Sequence, residues 1–469
     1  MTHFGIVDAM DSPLLFGPFF EGSSWDRWRA MLKATFAEPM TEAEVTLFRE
    51  VAERDPPLRR VKEAVFIAGR GAGKDAIASL IATHVAMTFD PRGRLRPGEA
   101  AVVMCIAVDR HQARIVMNYI KAYFEIIPPL AALVAAMDDE SVTLTNGVVI
   151  EVHSNNFRAV RGRSIICAIF DEVAFWRSDD SASPDFEVHG AVTPGLGRMP
   201  GSMLVLISNA HKRAGLLYQR YKDHYGRDDD DVLVSLGTTS QFNPTFDPAI
   251  IAKALESDQQ LYGAEYLSQW RDDLASYVPR ELLEAAVDRG VTVRPPLPDM
   301  HYFAFGDPSG GVHDSFTAGI AHREGDVAVV DALFERVPPF NPSSVTEEIS
   351  DLLKSYRVDQ IVGDRYSAQW VVESFAKHGV TYVHSERDRS AIYIDCLALF
   401  TAGRARLIDN PRLVSQFAAL ERRTFSNGRD RVDHGRSGRD DSANSAAGAM
   451  LLAGTTLSGA ALWAALADD

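Results

Sequence analysis

Ala64-Val-Phe-Ile-Ala-Gly-Arg-Gly-Ala-Gly-Lys-Asp75 runs from an apolar stretch into alternating glycines and a lysine, and the helical segment Ala76–Met87 follows at once. Glycines at 69, 71 and 73 let backbone N–H groups turn inward around phosphate oxygens. Lys74 reaches the outer phosphates, and the helix start adds the positive end of its dipole. Strand, glycine loop, lysine and helix in this order predict a nucleotide cradle, with Gly69, Arg70, Gly71, Ala72, Gly73, Lys74 and Asp75 as the candidate ATP-binding residues. Two positions depart from the G-x-x-x-x-G-K-[ST] pattern: Ala68 replaces the first glycine, and Asp75 stands where a hydroxyl normally binds Mg²⁺. A carboxylate can take that ligand position, although it adds negative charge beside the phosphates.

Outward from this loop, short runs rich in Val and Ile (Ala101–Ala107, Ile165–Phe170, Leu204–Ile207) alternate with segments of helical period. That is the pattern of an α/β domain with buried, mostly parallel strands. Ser141–His153 alternates around Asn146-Gly147, which predicts a hairpin. The run Ile165–Phe170 delivers Asp171-Glu172, so Asp171 is expected to hold Mg²⁺ and Glu172 to polarise a water against the γ-phosphate. Leu204–Ile207 ends in Ser208-Asn209, polar groups placed to sense the γ-phosphate from a neighbouring strand end. Upstream of the acids, Arg158, Arg161 and Arg163 offer a charge-neutralising finger, in cis or to a neighbouring subunit.

The pattern changes near Tyr302. Three strands in succession (Tyr302–Gly306, Phe316–His322, Asp326–Phe334) precede a helix (Ser343–Tyr356), a strand (Gln360–Val362) and a further helix (Ala368–His378). Preceded by Val293-Arg-Pro-Pro-Leu-Pro298, this marks a second domain. The expected division is 1–278 and 279–469, with a linker between about Ser276 and Met300 and a lid subdomain at about 210–275. Asp307 and Asp364 end strands, and Asp440-Asp441 opens the apolar helix Ser442–Leu452. Carboxylates delivered this way can converge on two hard cations, which activate water and stabilise the leaving oxygen of a phosphodiester. Asp314 is a candidate outer ligand through water, and the sequence leaves open which of Asp440 and Asp441 is the inner one.

At 469 residues the chain has room for two to three domains, and 46% hydrophobic with 24% charged residues is a globular composition. Lys and Arg number 48 against 64 Asp and Glu, a net charge of −16 that argues against a protein coating DNA. Both halves are acidic. Arg404–Arg439, however, holds nine arginines against four acids and leads into the third carboxylate, which predicts a limited DNA-contact stripe. Three cysteines without a CxxC pair, no basic leader and no apolar run of membrane-span length predict a soluble protein of a reducing cytosol, with no membrane partner.

In order and spacing, Gly69–Lys74, Arg158 with Arg161-Gly-Arg163, Ile169-Phe-Asp-Glu-Val-Ala-Phe-Trp176 and Ile207-Ser-Asn209 resemble the large terminase subunit of tailed bacteriophages and related gene-transfer elements. There they correspond to Walker A, an arginine-bearing segment, Walker B and a coupling motif. Asn243-Pro-Thr-Phe-Asp247 and Glu265-Tyr-Leu-Ser-Gln-Trp270 resemble its lid-to-linker region. Asp307, Asp364 and Gly438-Arg-Asp-Asp-Ser-Ala-Asn-Ser-Ala-Ala-Gly448 are similar to the acids and closing motif of the RNase H-like nuclease that follows the ATPase in that family.

The resemblance covers about Val65 to Leu452. It implies an N-terminal P-loop ATPase of the ASCE type followed by an RNase H-like domain, an ATP-driven motor that packages double-stranded DNA, and an endonuclease for concatemers. It also implies ATP with Mg²⁺ at the first site and two Mg²⁺ or Mn²⁺ at the second, with Arg161 as a trans-acting finger. The implied partners are a portal protein, a small terminase subunit and further copies in a ring of five, in the cytoplasm of a bacterial host. Two other functions fit part of the pattern. An ATP-dependent helicase-nuclease of DNA repair or defence would need further helicase motifs after Ser208-Asn209. A regulatory subunit that binds nucleotide without hydrolysing it would owe its inactivity to Asp75.

Overall fold

The computed structural model describes residues 4–156, 160–176, 184–312, 314–364, 369–424, 429–434 and 439–454. Arg158, Arg436 and the apolar C-terminal tail lie outside them. The chain divides after Asp272 into two compact units.

In the first unit, eight strands form one sheet: β1 (Glu63–Ala68), β2 (Ala101–Ala107), β3 (Val134–Met137), β4 (Ser141–Leu144), β5 (Val148–Ser154), β6 (Ser164–Asp171), β7 (Met203–Ser208) and β8 (Val232–Gly237). Their order is β3-β4-β5-β2-β6-β7-β1-β8. From β5 to β8 every pairing is parallel, while β3 and β4 form an antiparallel edge. Ala64, Phe66 and Ala68 of β1 enter one core with Ile77, Leu80 and Ile81, and Val65 and Ile67 enter the opposite core with Leu204 and Leu206. Burial on both faces is why these strands read as continuous apolar runs. The order has a functional consequence: β7 lies between β1 and β6, so Ser208 stands between the glycine loop and the acids that end β6. The segment 210–275, expected as a lid, gives β8 to the main sheet as the outer partner of β1.

In the second unit the strands are β9 (Leu274–Ser276), β10 (Val287–Asp288), β11 (Tyr302–Asp307), β12 (Phe316–Glu324), β13 (Val327–Arg336), β14 (Gln360–Gly363), β15 (Thr381–His384), β16 (Ala405–Ile408), β17 (Leu420–Thr424) and β18 (Asp430–His434). Seven form a sheet ordered β10-β16-β13-β12-β11-β14-β15, and β18-β17-β9 form a second one. The antiparallel trio β11 to β13 continued by parallel β14 and β15 is the RNase H-like arrangement. Helix Asp441–Gly454 buries a run of small residues against this sheet. The approach is close enough that a Cβ at Gly448 would strike the Phe305 ring, and one at Gly319 would lie 2.6 Å from the Ser445 carbonyl oxygen. This tight seat holds the helix start against the end of β11.

The stretch Ser276–Met300 is not a free linker. Tyr277, Val278 and Leu283 are buried in the second core, Arg280–Ala286 is helical, and β10 pairs with β16. Elements of two to seven residues are too short to leave a period in the sequence.

Candidate functional site

The glycine loop opens from β1 with Gly71 at φ +80° and Gly73 at φ +88°, conformations that glycine adopts without strain. Gly73 caps helix Lys74–Thr88. The loop is gripped from behind. Thr239 Oγ1 donates to the Arg70 carbonyl (2.8 Å), Asn243 Nδ2 to the Gly71 carbonyl (2.9 Å) and Trp28 Nε1 to the Ala72 carbonyl (2.7 Å). Arg70 N donates to the Glu265 carbonyl (2.6 Å), and the Arg70 guanidinium lies 3.2 Å from the Glu265 carboxylate. Gly69, Arg70 and Ala72 spend their N–H groups on protein carbonyls, so Gly71, Gly73 and the start of the helix are the N–H donors left for a phosphate.

Lys74 is buried. Its Nζ donates to the Ala68 carbonyl (2.9 Å) and to Asn209 Oδ1, and lies 3.9 Å from Glu172 Oε1. Ser208 Oγ donates to Glu172 Oε2 (3.0 Å) and accepts from Ala174 N (3.3 Å). Glu172 itself is in the left-handed region at φ +48°. The end of β7 thus holds both the lysine, through Asn209, and the glutamate, through Ser208.

Asp171 is 2% exposed and neither of its oxygens has a hydrogen-bond partner. Burial, aided by the charges of Glu172 and Asp75, pushes its carboxyl up to about 8. Burial also raises Asp75. A buried acid without a donor fits a cation position, because a divalent ion satisfies both oxygens and restores the charged form. The residues present therefore fit Mg²⁺ bound by Asp171 with Asp75 nearby.

Loop, lysine, Glu172 and Asn209 line a cavity of about 770 Å³ whose remaining wall includes Phe19, Phe20, Trp25, Gln112, Tyr119, Tyr123 and Phe175. The sequence reading did not find this aromatic wall, nor Thr239, Asn243 and Glu265 as the loop's supports. Phe19 and Trp25 sit far upstream of the loop without a motif of their own. Arg161 is exposed and does not line the cavity, and Arg163 lies 3.8 Å from Glu151.

In the second unit, Asp307 ends β11 and accepts from Asn444 Nδ2 (2.9 Å). Burial pushes its carboxyl up to about 7 against that hydrogen bond, with Asp441, Asp440 and Asp364 each adding negative potential. Four of the predicted acids therefore share one field. Asp441, at the helix start, is raised to about 6 by burial and by Asp440, Asp314 and Glu335. Asp441 Oδ2 and Asn444 Oδ1 are buried without hydrogen-bond partners, the donor set a hard cation would complete. Asp364 is half-buried after β14, and Asp314 is exposed.

Asp440 differs: it is 1% exposed, and it accepts from Arg389 Nη1 (3.0 Å) at Oδ1 and from Tyr393 OH (3.0 Å) at Oδ2. Thr317 Oγ1 donates to the Asp441 carbonyl (2.7 Å), and the register Asp307, Thr317, Glu335 across β11, β12 and β13 brings a further carboxylate to this face. Glu335 was invisible to the sequence reading, since its strand neighbours carry no acid pattern.

Five arginines of the expected basic stripe already face acids. Arg406, Arg412, Arg422, Arg423 and Arg431 are ion-paired with Asp288, Glu335, Asp430, Asp273 and Asp433. Three of these acids lie outside the 404–439 window, so counting charge within the window overstated the positive surface.

A phosphate cradle on a parallel sheet, joined in one chain to an RNase H-like sheet with clustered acids, defines a P-loop protein with a second α/β domain of nuclease-like build. Among the described residues no helix is long and apolar enough to cross a membrane. The chain belongs to the family described as uncharacterized protein MJ0330, N-terminal P-loop domain, whose profile matches residues 31–266, half of the sequence. No curated protein sequence matches it. Among solved structures it is similar to the HK97 bacteriophage large terminase, at 18% identity over 92% of this chain and 99% of that one, with a TM-score of 0.39. The large terminase of a thermophilic bacteriophage, in complex with ADP, aligns at 12% identity over 90% of this chain and 97% of its own, TM-score 0.40. The large terminase nuclease of thermophilic phage G20c with bound magnesium covers 38% of this chain and 98% of its own at 16% identity, TM-score 0.32.

Proposed function

We propose that this chain is a large terminase subunit: an ATP-driven motor for double-stranded DNA joined to a metal-dependent endonuclease. One observation carries the reading, namely two centres of buried acids on one chain, one at the lip of a phosphate cradle and one at strand ends of an RNase H-like sheet.

In the first centre Lys74 and the loop N–H groups bind the outer phosphates of ATP, and the aromatic wall takes the base. Asp171 and Asp75 would hold Mg²⁺, which would supply neutralising charge to the transferred phosphoryl group. Glu172, fixed by Ser208, orients the attacking water and takes its proton, while Asn209 keeps Lys74 aimed at the loop. Exposed Arg161 serves the site of a neighbouring copy.

In the second centre Asp307, Asp364 and one acid of the Asp440–Asp441 pair would hold two Mg²⁺ or Mn²⁺, which would supply an activated water and stabilise the leaving oxygen. Asn444 orients Asp307, and Asp314 acts from the rim. Phosphate contacts and metal ions carry no base readout, so cleavage has little sequence preference. The same reading gives as partners a portal protein, a small terminase subunit and a ring of five copies, working in the bacterial cytoplasm.

The test is ATP turnover by the full chain with double-stranded DNA, with and without a portal. DNA-stimulated turnover that Glu172→Gln abolishes is expected. Turnover no higher than that of Glu172→Gln under every condition overturns the motor.

A further inference from the structure

We infer that Arg389 is a positioning residue that keeps Asp440 out of the metal shell, so that Asp441 alone of the adjacent pair is the inner ligand. The inference rests on reading the second unit's acids as a nuclease centre, and deepens it.

Adjacent acids at a helix start look equivalent in the sequence, but their surroundings differ. Arg389 and Tyr393 lie one turn apart on helix Arg389–Thr401, so their side chains leave the same face. They take one oxygen each of Asp440: Arg389 Nη1 donates to Oδ1 at 3.0 Å and Tyr393 OH to Oδ2 at 3.0 Å. Tyr393 is itself fully buried, and its carbonyl accepts from Tyr277 OH at 2.6 Å, which fixes the helix at this turn.

Asp433, His434 and Asp440 present ligand atoms within 4.8 Å of one another, a set that would attract a cation. The cation they have is the guanidinium, since Arg389 Nη2 also lies 3.4 Å from Asp433 Oδ1. A guanidinium bonded to carboxylates is a strong, directional partner, and a metal ion on the same oxygen would have to displace it.

Asp441 is the opposite case. Its carbonyl is fixed by Thr317, its Oδ2 is buried without a hydrogen-bond partner, and Asn444 Oδ1 on the same helix is buried and partnerless too. Both carboxylate oxygens of Asp440 are satisfied, whereas Asp441 keeps one buried oxygen without a partner beside the partnerless Asn444 Oδ1, and this difference assigns the metal to Asp441.

The experiment measures Mn²⁺ binding by calorimetry, without nucleotide, in full chains that all carry Asp171→Asn so that the first unit's acid is silent. Asp441→Asn is expected to weaken binding at least tenfold and Asp440→Asn less than threefold. Should Asp440→Asn fold poorly, the paired change Asp440→Asn with Arg389→Gln removes both charges together, leaves no unpaired ion and is expected to bind within threefold. Equal weakening by the two single changes, or weakening of tenfold by the paired change, overturns the inference while leaving the nuclease reading intact. Mn²⁺ binding that neither Asp441→Asn nor Asp307→Asn disturbs overturns both.

Discussion

Asp171 in the first unit is 2% exposed and Asp440 in the second 1% exposed, yet the first meets no donor and the second is held at both oxygens by Arg389 and Tyr393. A carboxylate buried alone destabilises its fold and shifts toward the neutral form. One buried with an arginine and a hydroxyl supports its fold instead. The contrast teaches that burial of an acid does not by itself mark a ligand position: the missing partner does. By that criterion Asp171 and Asp441 belong together, and Asp440 belongs with the scaffold.

The largest effects should break the two centres independently. Glu172→Gln should lower ATP turnover by about 10³-fold with metal-dependent plasmid cleavage intact. Asp307→Ala should remove that cleavage by a comparable ~10³-fold with ATP turnover within about twofold. Parallel assays on the same preparations decide this, and a joint loss in either variant would merge what are described as separate sites.

Stability sharpens the contrast next. Asp440→Ala strands the buried Tyr393 hydroxyl and the Arg389 guanidinium, and should lower unfolding free energy in denaturant by about 2–3 kcal/mol. This is the low side for a buried pair because the Arg389 side chain is 37% exposed and can turn to water.

Asp171→Asn should act in the other direction in chelator at high pH. With the folded carboxyl raised to about 8, the native state keeps a proton that the unfolded chain gives up near pH 4. Stability is therefore fully present below that lower value and is lost as pH rises toward 8. The variant lacks this slope, with a relative gain on the order of 4 kcal/mol at pH 8 over pH 5. Identical slopes in wild type and variant would mean that another group carries the titration.

The smallest effect concerns Asp75. Asp75→Ala should reduce Mg²⁺-dependent turnover by about three- to tenfold and raise the Mg²⁺ concentration needed for half-activity, since one of two carboxylates near the ion is lost. Unchanged Mg²⁺ dependence would remove Asp75 from the ligand set.

Much of the first centre was legible because its residues are contiguous: the loop, Asp171-Glu172 and Ser208-Asn209 each end a strand whose apolar run announces it. Its aromatic wall and the loop's supports Thr239, Asn243 and Glu265 were not, because they meet the loop only through the fold. In the second unit the strand-end acids Asp307 and Asp364 and the helix-opening Asp440-Asp441 were legible by position. The inequality of Asp440 and Asp441 was not, since it depends on an arginine about fifty residues upstream. Glu335 escaped for the same reason, being brought to the site by strand register alone.

Strand β9 bears on where the second unit can be cut free. Leu274–Ser276 pairs with Arg423, Arg422 and Glu421 of β17, Asp273 lies 3.0 Å from the Arg423 guanidinium, and Tyr277 is buried. A fragment begun at residue 279 would bare one side of β17 as an unpaired edge open to other chains, and would vacate the slot of Tyr277 beneath Tyr393. Begun at Asp273 or earlier, it keeps that edge covered. A protease that frees this half as a soluble piece should accordingly cut on the N-terminal side of Asp273.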